Sequence, residues 1–289
     1  LHVLKGLVKS ASKRFGLALF ITGGLDSRLI LSLTKEISND VFYYTLVYRD
    51  LTEDHPDVVT PSSLLHRLGL KHHVIRCPSQ MDNEFREIYM SNVVTAHKDW
   101  GKIAQGLYQH YPEGRVTMKG VVSEIARHYP PYTLAFFETF TEKKLARMAN
   151  MGRHPFAVKA FRPWLSEARK VSDTYNVRIG DLFLIEQKLA NWYGMSQLEW
   201  DIVQDVFEPY NCRALIRTVL SADPVYTRQP YNRLYREIIT HCWPEALSEP
   251  INPKPFSLKS HIKSELLKTN FYSAANRAVT DLRERLQLW

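Results

Sequence analysis

The stretch that decides the fold is Leu17-Ala18-Leu19-Phe20-Ile21-Thr22-Gly23-Gly24-Leu25-Asp26-Ser27-Arg28. Its first five residues form a continuous apolar run, which is typical of a strand that is buried on both faces. Two glycines follow the run after Thr22. Beyond them, apolar residues recur at helical spacing, at Leu25, Leu29, Ile30, Leu33 and Ile37. The pattern predicts a buried strand, a glycine turn and an amphipathic helix.

This alternation of strand and helix patterns continues over the first 120 residues. Further strands are predicted at Val41–Val47, at His73–Ile75 and at Arg115–Lys119, with helical patterns between them. Strands that are separated by helices imply a parallel sheet with right-handed crossovers. Ligands of such a sheet bind at the carboxyl ends of its strands.

Beyond about Ser123 the strand signals fade, and the remaining sequence reads as helices separated by turns that contain proline. We therefore predict an α/β protein with a single domain over residues 1–289. Residues 1–125 are predicted to form its parallel-sheet core, and residues 126–289 a mostly helical part.

The composition excludes several classes of protein. Of the 289 residues, 45% are hydrophobic and 12% aromatic, which excludes a disordered chain. No apolar run approaches the roughly 20 residues that a membrane helix needs, so we expect a soluble, non-secreted, cytoplasmic protein with no membrane partner. The three cysteines are far apart and have no CxxC spacing, which argues against a disulfide framework and a structural zinc site.

The charge balance points to an anionic partner. The chain has 38 Lys and Arg against 30 Asp and Glu, which gives a net charge of +8. Such a charge suits a nucleotide, pyrophosphate or nucleic acid, of which we consider nucleic acid the weaker candidate. A merely soluble surface explains the charge equally well.

The glycine turn has the chemistry of a diphosphate cradle. Gly23 and Gly24 allow the backbone to approach an anion, and the free N–H groups at the helix start point toward it. Thr22 and Ser27 add hydroxyl groups. Asp26 would repel phosphates unless a cation such as magnesium lay between them. A glycine pair alone is more often a plain tight turn, and this loop is neither a Walker A loop nor a GxGxxG fingerprint.

With these residues the sequence resembles the N-type ATP pyrophosphatases, whose loop reads SGGxDS; Thr22 stands for the first Ser. Within that superfamily it is similar to the synthetase domain of asparagine synthetase and its relatives, the β-lactam synthetases and lasso-peptide cyclases. The resemblance implies an adenine nucleotide alpha hydrolase-like fold, in which residues 1–125 are the nucleotide-binding core and residues 126–289 complete the substrate site. It further implies an AMP-forming carbon–nitrogen ligase. It also implies ATP and magnesium as cofactors, and a carboxylate with ammonia or an amine as substrates.

Weaker matches extend the resemblance along the chain. Residues 68–75 (LGLKHHVI) look like the LGxxHxxI segment of the family, and residues 118–124 (MKGVVSE) occupy the place of its SGxGxDE loop. Residues 204–211 (QDVFEPYN) are similar to EARxPFLD. Residues 244–256 (PEALSEPINPKPF) resemble the PxxI...RxKxGF stretch.

The resemblance assigns roles to individual residues. Those implied to bind ATP or pyrophosphate are Ile21, Thr22, Gly23, Gly24, Asp26, Ser27, Val47 and Gly120. Asp26 and Glu124 are implied to bind magnesium. Lys254 is implied to stabilise phosphate charge, and Asp205 to accept a proton from the amine.

Simpler interpretations of these residues stay open. Glu124 and Asp205 also suit helix caps or surface charges, and Lys254 suits a solvated lysine. Val121, Val122 and Phe207 depart from the family pattern, so we expect a substrate other than that of asparagine synthetase. Residue 1 is Leu, and a glutaminase domain or subunit that supplies ammonia would lie outside this chain. The competing functions are a tRNA-modifying enzyme of the same superfamily and a noncatalytic nucleotide-binding module.

Overall fold

A computed structural model describes residues 1–49, 51–93, 99–127, 140–227 and 231–253. Internal contacts divide the chain into two compact units, Leu1–Asn252 and Pro253–Trp289. All of the geometry given below belongs to the first unit.

The first unit is built on a five-stranded sheet in which every neighbouring pair of strands is parallel. Its strands are β1 (Gly16–Phe20), β2 (Phe42–Val47), β3 (His72–Arg76), β4 (Arg115–Met118) and β5 (Asp205–Phe207). Their order across the sheet is β3-β2-β1-β4-β5. The prediction of an α/β fold with a parallel sheet is confirmed.

Helices cover both faces of the sheet and make up most of the second half of the described chain. They are α1 (His2–Ser12), α2 (Leu25–Leu33), α3 (Pro56–Arg67), α4 (Asn83–Asn92), α5 (Trp100–His110), α6 (Glu142–Met148), α7 (Pro155–Tyr175), α8 (Ile179–Phe183), α9 (Gly194–Trp200), α10 (Arg213–Leu220), α11 (Pro224–Thr227) and α12 (Arg233–Cys242). A π-helical segment, Leu184–Tyr193, joins α8 to α9. Among the described helices, none combines the length and the apolar character needed to cross a bilayer.

The apolar run of β1 is explained by burial on both of its faces. Leu17 and Leu19 belong to a core that also contains the apolar side of α1, formed by Leu4 and Val8. Ala18 belongs to the core on the other face of the sheet, which includes residues of α5. Because successive strand residues point to opposite faces, both faces of β1 require apolar residues.

The helical half contributes a strand that the sequence reading does not predict. We expected only helices beyond Ser123, but Asp205–Phe207 pairs with β4, with Val116 opposite Asp205 and Met118 opposite Phe207. A strand of three residues is too short for a period-2 pattern to distinguish it from a loop. The side chain of Gln204 donates a hydrogen bond to the hydroxyl of Tyr44 (2.9 Å), which anchors the start of this strand.

The strand order creates a ligand crevice at a defined place. β1 is the central strand, with β2 on one side and β4 on the other. The chain leaves β1 toward β2 and later returns to β4, so the direction of winding reverses between β1 and β4. Ligands of open α/β sheets bind at such a switch point, outside the carboxyl ends of the strands. The loops that follow β1 and β4 therefore meet where a ligand is expected.

Candidate functional site

The loop after β1 is held in shape by its own hydroxyl groups. The Thr22 N–H donates to Ser27 Oγ (3.2 Å), and the Gly24 N–H donates to Thr22 Oγ1 (3.2 Å). Ser27 Oγ lies 3.3 Å from the carbonyl oxygens of both Thr22 and Gly24. The turn is thus preformed by the residues that the sequence singled out.

The loop leads directly into the start of α2 and presents backbone donors there. Gly24 is the N-cap of α2 and gives the helix no side-chain cap. The amide groups of a first helical turn have no partner within the helix, and the helix dipole favours an anion beside them. The Gly23 N–H donates to the Asp57 carboxylate at 3.3 Å, so this amide already faces an anionic group.

Gly120 brings the loop after β4 against the start of α2. A Cβ atom at this position would lie 2.9 Å from the carbonyl oxygen of Asp26 and 3.1 Å from its carbonyl carbon. Real Cβ atoms essentially never approach backbone atoms so closely, so any side chain at residue 120 would separate the two segments. The predicted glycine position is thus required by packing.

Two carboxylates lie together beside this contact. The Asp26 carboxylate accepts hydrogen bonds from Ser123 Oγ (2.6 Å) and from Arg127 (2.8 Å). The same Arg127 nitrogen lies 3.4 Å from Glu124 Oε1, so the two carboxylates can be no farther apart than those two distances combined. Burial raises the pKa of Glu124, and the Arg127 charge opposes this effect.

The donor types of this carboxylate pair match those that magnesium takes beside phosphate. Within the described ranges, no group of three or more His, Cys, Asp and Glu side chains is arranged to hold a metal ion. Magnesium commonly takes only one or two carboxylates and completes its shell with water and phosphate oxygens. Asp26 and Glu124 are such a donor set, and Arg127 supplies positive charge to both of them.

The segment of residues 249–252 is anchored beside the loop by Arg28, a residue that the sequence analysis did not select. The Arg28 side chain is fully buried and donates to the carbonyl oxygens of Glu249 and Pro250. Burial lowers its pKa to about 10, against the raising effect of the Glu249 carboxylate. Nearby, the Asn252 N–H donates to the Gly23 carbonyl at 2.8 Å. A charged residue among the apolar residues of α2 was the available sequence signal.

A buried cluster of polar side chains follows β4 and β5 at the same edge of the sheet. Lys119 is 5% exposed, and its Nζ donates to Gln197 Oε1 (2.9 Å) and lies 4.5 Å from the centroid of the Trp200 ring. Tyr193 donates to the Glu208 carboxylate. Tyr193 ends the π-helical segment, and such segments occur often at functional sites.

The pKa values of this cluster are displaced toward neutral pH. Burial lowers the pKa of Lys119 to about 7, with an opposing effect of Glu208. Burial also raises the pKa of Glu208 to about 7, opposed by the Tyr193 hydrogen bond and the Lys119 charge. An amine and a carboxyl group that both titrate near neutral pH are suited to proton transfer. The sequence reading did not select either residue.

The remaining predicted residues have different locations. Ile21 is fully buried, and its N–H and carbonyl are bonded to Tyr44 and Thr45 of β2. Val47 is the last residue of β2, at the carboxyl edge of the sheet, and its carbonyl oxygen accepts a hydrogen bond from the Cys77 N–H (2.9 Å).

Asp205 is not brought to the site. It is exposed at the start of β5, where it pairs with Val116, so it lies toward the amino edge of the sheet. Glu208, three residues later, occupies the carboxyl edge instead. Lys254 lies outside the described residues.

Comparisons with known proteins leave the family unassigned. No protein-family model matches this chain, and no curated protein matches it. Among solved structures it is similar to an NH3-dependent NAD synthetase from Campylobacter jejuni subsp. jejuni NCTC 11168 in complex with the nitrate ion. That similarity has 12% sequence identity and a TM-score of 0.30, and it covers 70% of this chain and 91% of that chain. It is too distant to carry an argument about activity.

Gly120→Ala is expected to destabilise the protein by about 1–3 kcal/mol, because the added methyl group must displace the Asp26 backbone. The matched control is Gly6→Ala in α1, where a Cβ meets no atom within 4 Å. Removing a glycine from a helix interior should stabilise by about 0.5–1 kcal/mol. Urea denaturation measures both effects; a Gly120→Ala variant as stable as the wild type would refute the close contact.

Glu208→Gln is expected to flatten the pH dependence of stability. Between the ordinary pKa of 4.5 and the raised value of about 7, the unfolded chain loses the Glu208 proton while the folded chain keeps it. Stability of the wild type should therefore fall as pH rises through this range. The free energy of unfolding at pH 5, 6 and 7 should fall less in Glu208→Gln than in the wild type. The control is Glu113→Gln, at an exposed carboxylate. If the free energy of unfolding of Glu208→Gln changes with pH as much as that of the wild type, Glu208 does not have the raised pKa that burial produces.

Proposed function

We propose that the protein is a magnesium-dependent ATP pyrophosphatase that adenylates a carboxylate and transfers ammonia or an amine to it. The products are an amide, AMP and pyrophosphate. The observation that carries this proposal is that the Thr22–Ser27 loop, which contains Asp26, lies at the switch point of the sheet with Glu124 beside it. The resemblance of this loop to the SGGxDS loop of the N-type ATP pyrophosphatases implies the same chemistry.

The loop would hold the β- and γ-phosphates. In this proposal the amide groups of Gly23 and Gly24 and the hydroxyls of Thr22 and Ser27 exchange their internal partners for phosphate oxygens. Asp57, whose carboxylate now accepts from Gly23, would give way to the phosphate. The adenosine would lie beside Val47 and Gly120, and Ile21, whose main-chain groups are both bonded to β2, would support the loop from within the sheet.

Asp26 and Glu124 would hold the metal ion. When bound, magnesium would neutralise the phosphate charge that builds up as pyrophosphate leaves. Arg127 contacts one oxygen of each carboxylate and so holds them near each other, and Ser123 donates to the other oxygen of Asp26. Positioning by these residues is the main contribution that the protein makes to such a reaction.

The reaction has two displacements. A carboxylate oxygen of the substrate attacks the α-phosphorus, and the bond to the oxygen that bridges to the β-phosphorus breaks, which releases pyrophosphate. The nitrogen of ammonia or an amine then attacks the carbonyl carbon of the acyl-adenylate, and AMP leaves with the bonding electrons. The nitrogen must lose a proton in this second step.

We propose that Glu208, rather than Asp205, accepts this proton. Glu208 follows β5 at the carboxyl edge and is hydrogen-bonded to Tyr193, and the raised pKa suits a base near neutral pH. Lys119 would place a positive charge next to the carboxylate that accepts the proton. Lys254 keeps its proposed role of neutralising phosphate charge, which rests on the resemblance alone.

One observation favours a second candidate, a noncatalytic nucleotide-binding module. Arg127 pairs with both Asp26 and Glu124 and so supplies the positive charge that a metal ion would provide. A site of this kind could retain ATP without turnover. The net charge of +8 favours a third candidate, modification of a tRNA base, which the assay below tests with tRNA in place of the free acid.

The deciding experiment measures AMP and pyrophosphate from ATP with magnesium, ammonium and a panel of carboxylic acids. We expect acid-dependent release of both products, and a loss of roughly 10²-fold in Asp26→Asn because the metal ion loses a ligand. The control is Asp54→Asn, at an exposed carboxylate outside the site.

Full activity in Asp26→Asn would overturn the site. ATP binding with no AMP under any condition would favour the noncatalytic module. AMP formation that requires tRNA and no free acid would favour the tRNA-modifying enzyme.

A further inference from the structure

A basic groove lies at the other edge of the sheet from the loop. Because α1 ends at Ser12 and β1 begins at Gly16, the end of α1 lies toward the amino edge of β1. A cleft of about 490 Å³ runs between α1 and the segment Ser32–Ile37. Its charged lining consists of Lys5, Lys9, Lys13, Lys35 and Glu36, and His2 and Cys242 also line it.

A second cleft of about 550 Å³ continues the first. The two share Ser12, Lys13 and Ile37, and the charged and aromatic residues that the second adds are Arg14, Phe15, Asp40 and Arg115. We call the two clefts together the α1 groove. It is made only of described residues, and nothing in the proposed reaction uses it.

The lysines of α1 form a regular row along this groove. Lys5, Lys9 and Lys13 are exposed and follow one another at intervals of four residues. Four residues of helix advance about 6 Å, a spacing on the scale of successive phosphates in a nucleic-acid strand. Within the described part of the chain, none of these three lysines has a carboxylate partner, so their mutual repulsion would be relieved by an anion.

The apolar face of α1 argues against a membrane surface as the partner. Basic amphipathic helices bind membranes by inserting an apolar face. Among the apolar residues of α1, Leu4, Val8 and Ala11 are 3%, 1% and 7% exposed because they pack into the core, and Leu7 packs against the same core. Val3, at 42% exposed, is the one apolar side chain of α1 that is largely accessible, and a single valine is not the apolar face that insertion needs.

Phe15 adds an aromatic surface to the row of charges. Its side chain is 50% exposed and lines the groove directly after Lys13 and Arg14. A positively charged groove with an exposed aromatic ring is the arrangement that binds single strands, because the ring stacks on a base while lysines contact phosphates. We propose that the α1 groove binds single-stranded nucleic acid, with its backbone along Lys5, Lys9 and Lys13 and a base on Phe15.

The test measures binding of a fluorescein-labelled 20-nucleotide oligouridine by anisotropy, from 50 to 300 mM salt. Binding through phosphate contacts weakens strongly over roughly this range of salt concentration. The wild type should bind with a strong salt dependence. The triple variant Lys5→Gln, Lys9→Gln, Lys13→Gln should bind at least tenfold more weakly, with a slope of log Kd against log salt that is smaller by about 2.

A charge-matched control separates the groove from net charge. It replaces three exposed lysines elsewhere, as Lys71→Gln, Lys143→Gln and Lys159→Gln. This variant should bind within about twofold of the wild type. Thermal unfolding of both triple variants checks that each is folded. Equal weakening in the two variants, or salt-independent binding by the wild type, would overturn the proposal.

Phe15→Leu distinguishes nucleic acid from other polyanions. It should weaken oligouridine binding at least about fivefold, because base stacking is lost, and should leave binding of inorganic polyphosphate unchanged. If Phe15→Leu leaves oligouridine binding unchanged, the groove binds a polyanion without bases and the proposal is wrong. Tighter binding to phosphatidylserine vesicles than to oligouridine would also contradict it.

Discussion

The site depends on one close contact, the approach of Gly120 to the main chain of Asp26. The absence of a Cβ lets the loop after β4 touch the start of α2, and this contact joins the two segments at the switch point of the sheet. It places Ser123 and Arg127 within hydrogen-bonding distance of the Asp26 carboxylate. Separating the two segments by the width of a methyl group would take these partners away from the carboxylate.

The site contains some groups that favour a bound anion and others that favour a bound cation. The start of α2 and the Gly23 amide favour an anion, whereas Asp26 and Glu124 favour a cation. In the structure these needs are met by Asp57 and Arg127. A phosphate chain together with a metal ion would satisfy the same two needs, which is why the geometry suits ATP with magnesium.

Local sequence pattern was sufficient to predict the sheet core and the loop, since β1, the loop and α2 follow one another in the chain and each has a strong pattern. Residues whose role depends on distant partners were not predictable in this way. The partners of Arg28, the carbonyl oxygens of Glu249 and Pro250, lie 221 and 222 positions away. Glu208 and Asp205 are only three residues apart, yet the short strand between them sends them toward opposite edges of the sheet. Sequence similarity selected Asp205, whereas strand register favours Glu208.

The most direct measurement of the central claim is a titration of the 15N-labelled protein with magnesium pyrophosphate, followed by the amide resonances of Gly23 and Gly24. If the loop is a diphosphate site, these two amides should shift in a saturable manner, together with the first-turn amide of Asp26. The amide of Gly152, in the turn before α7 and away from both the loop and the α1 groove, should not move. Saturable binding that leaves Gly23 and Gly24 unshifted, or no binding at millimolar pyrophosphate, would contradict the account.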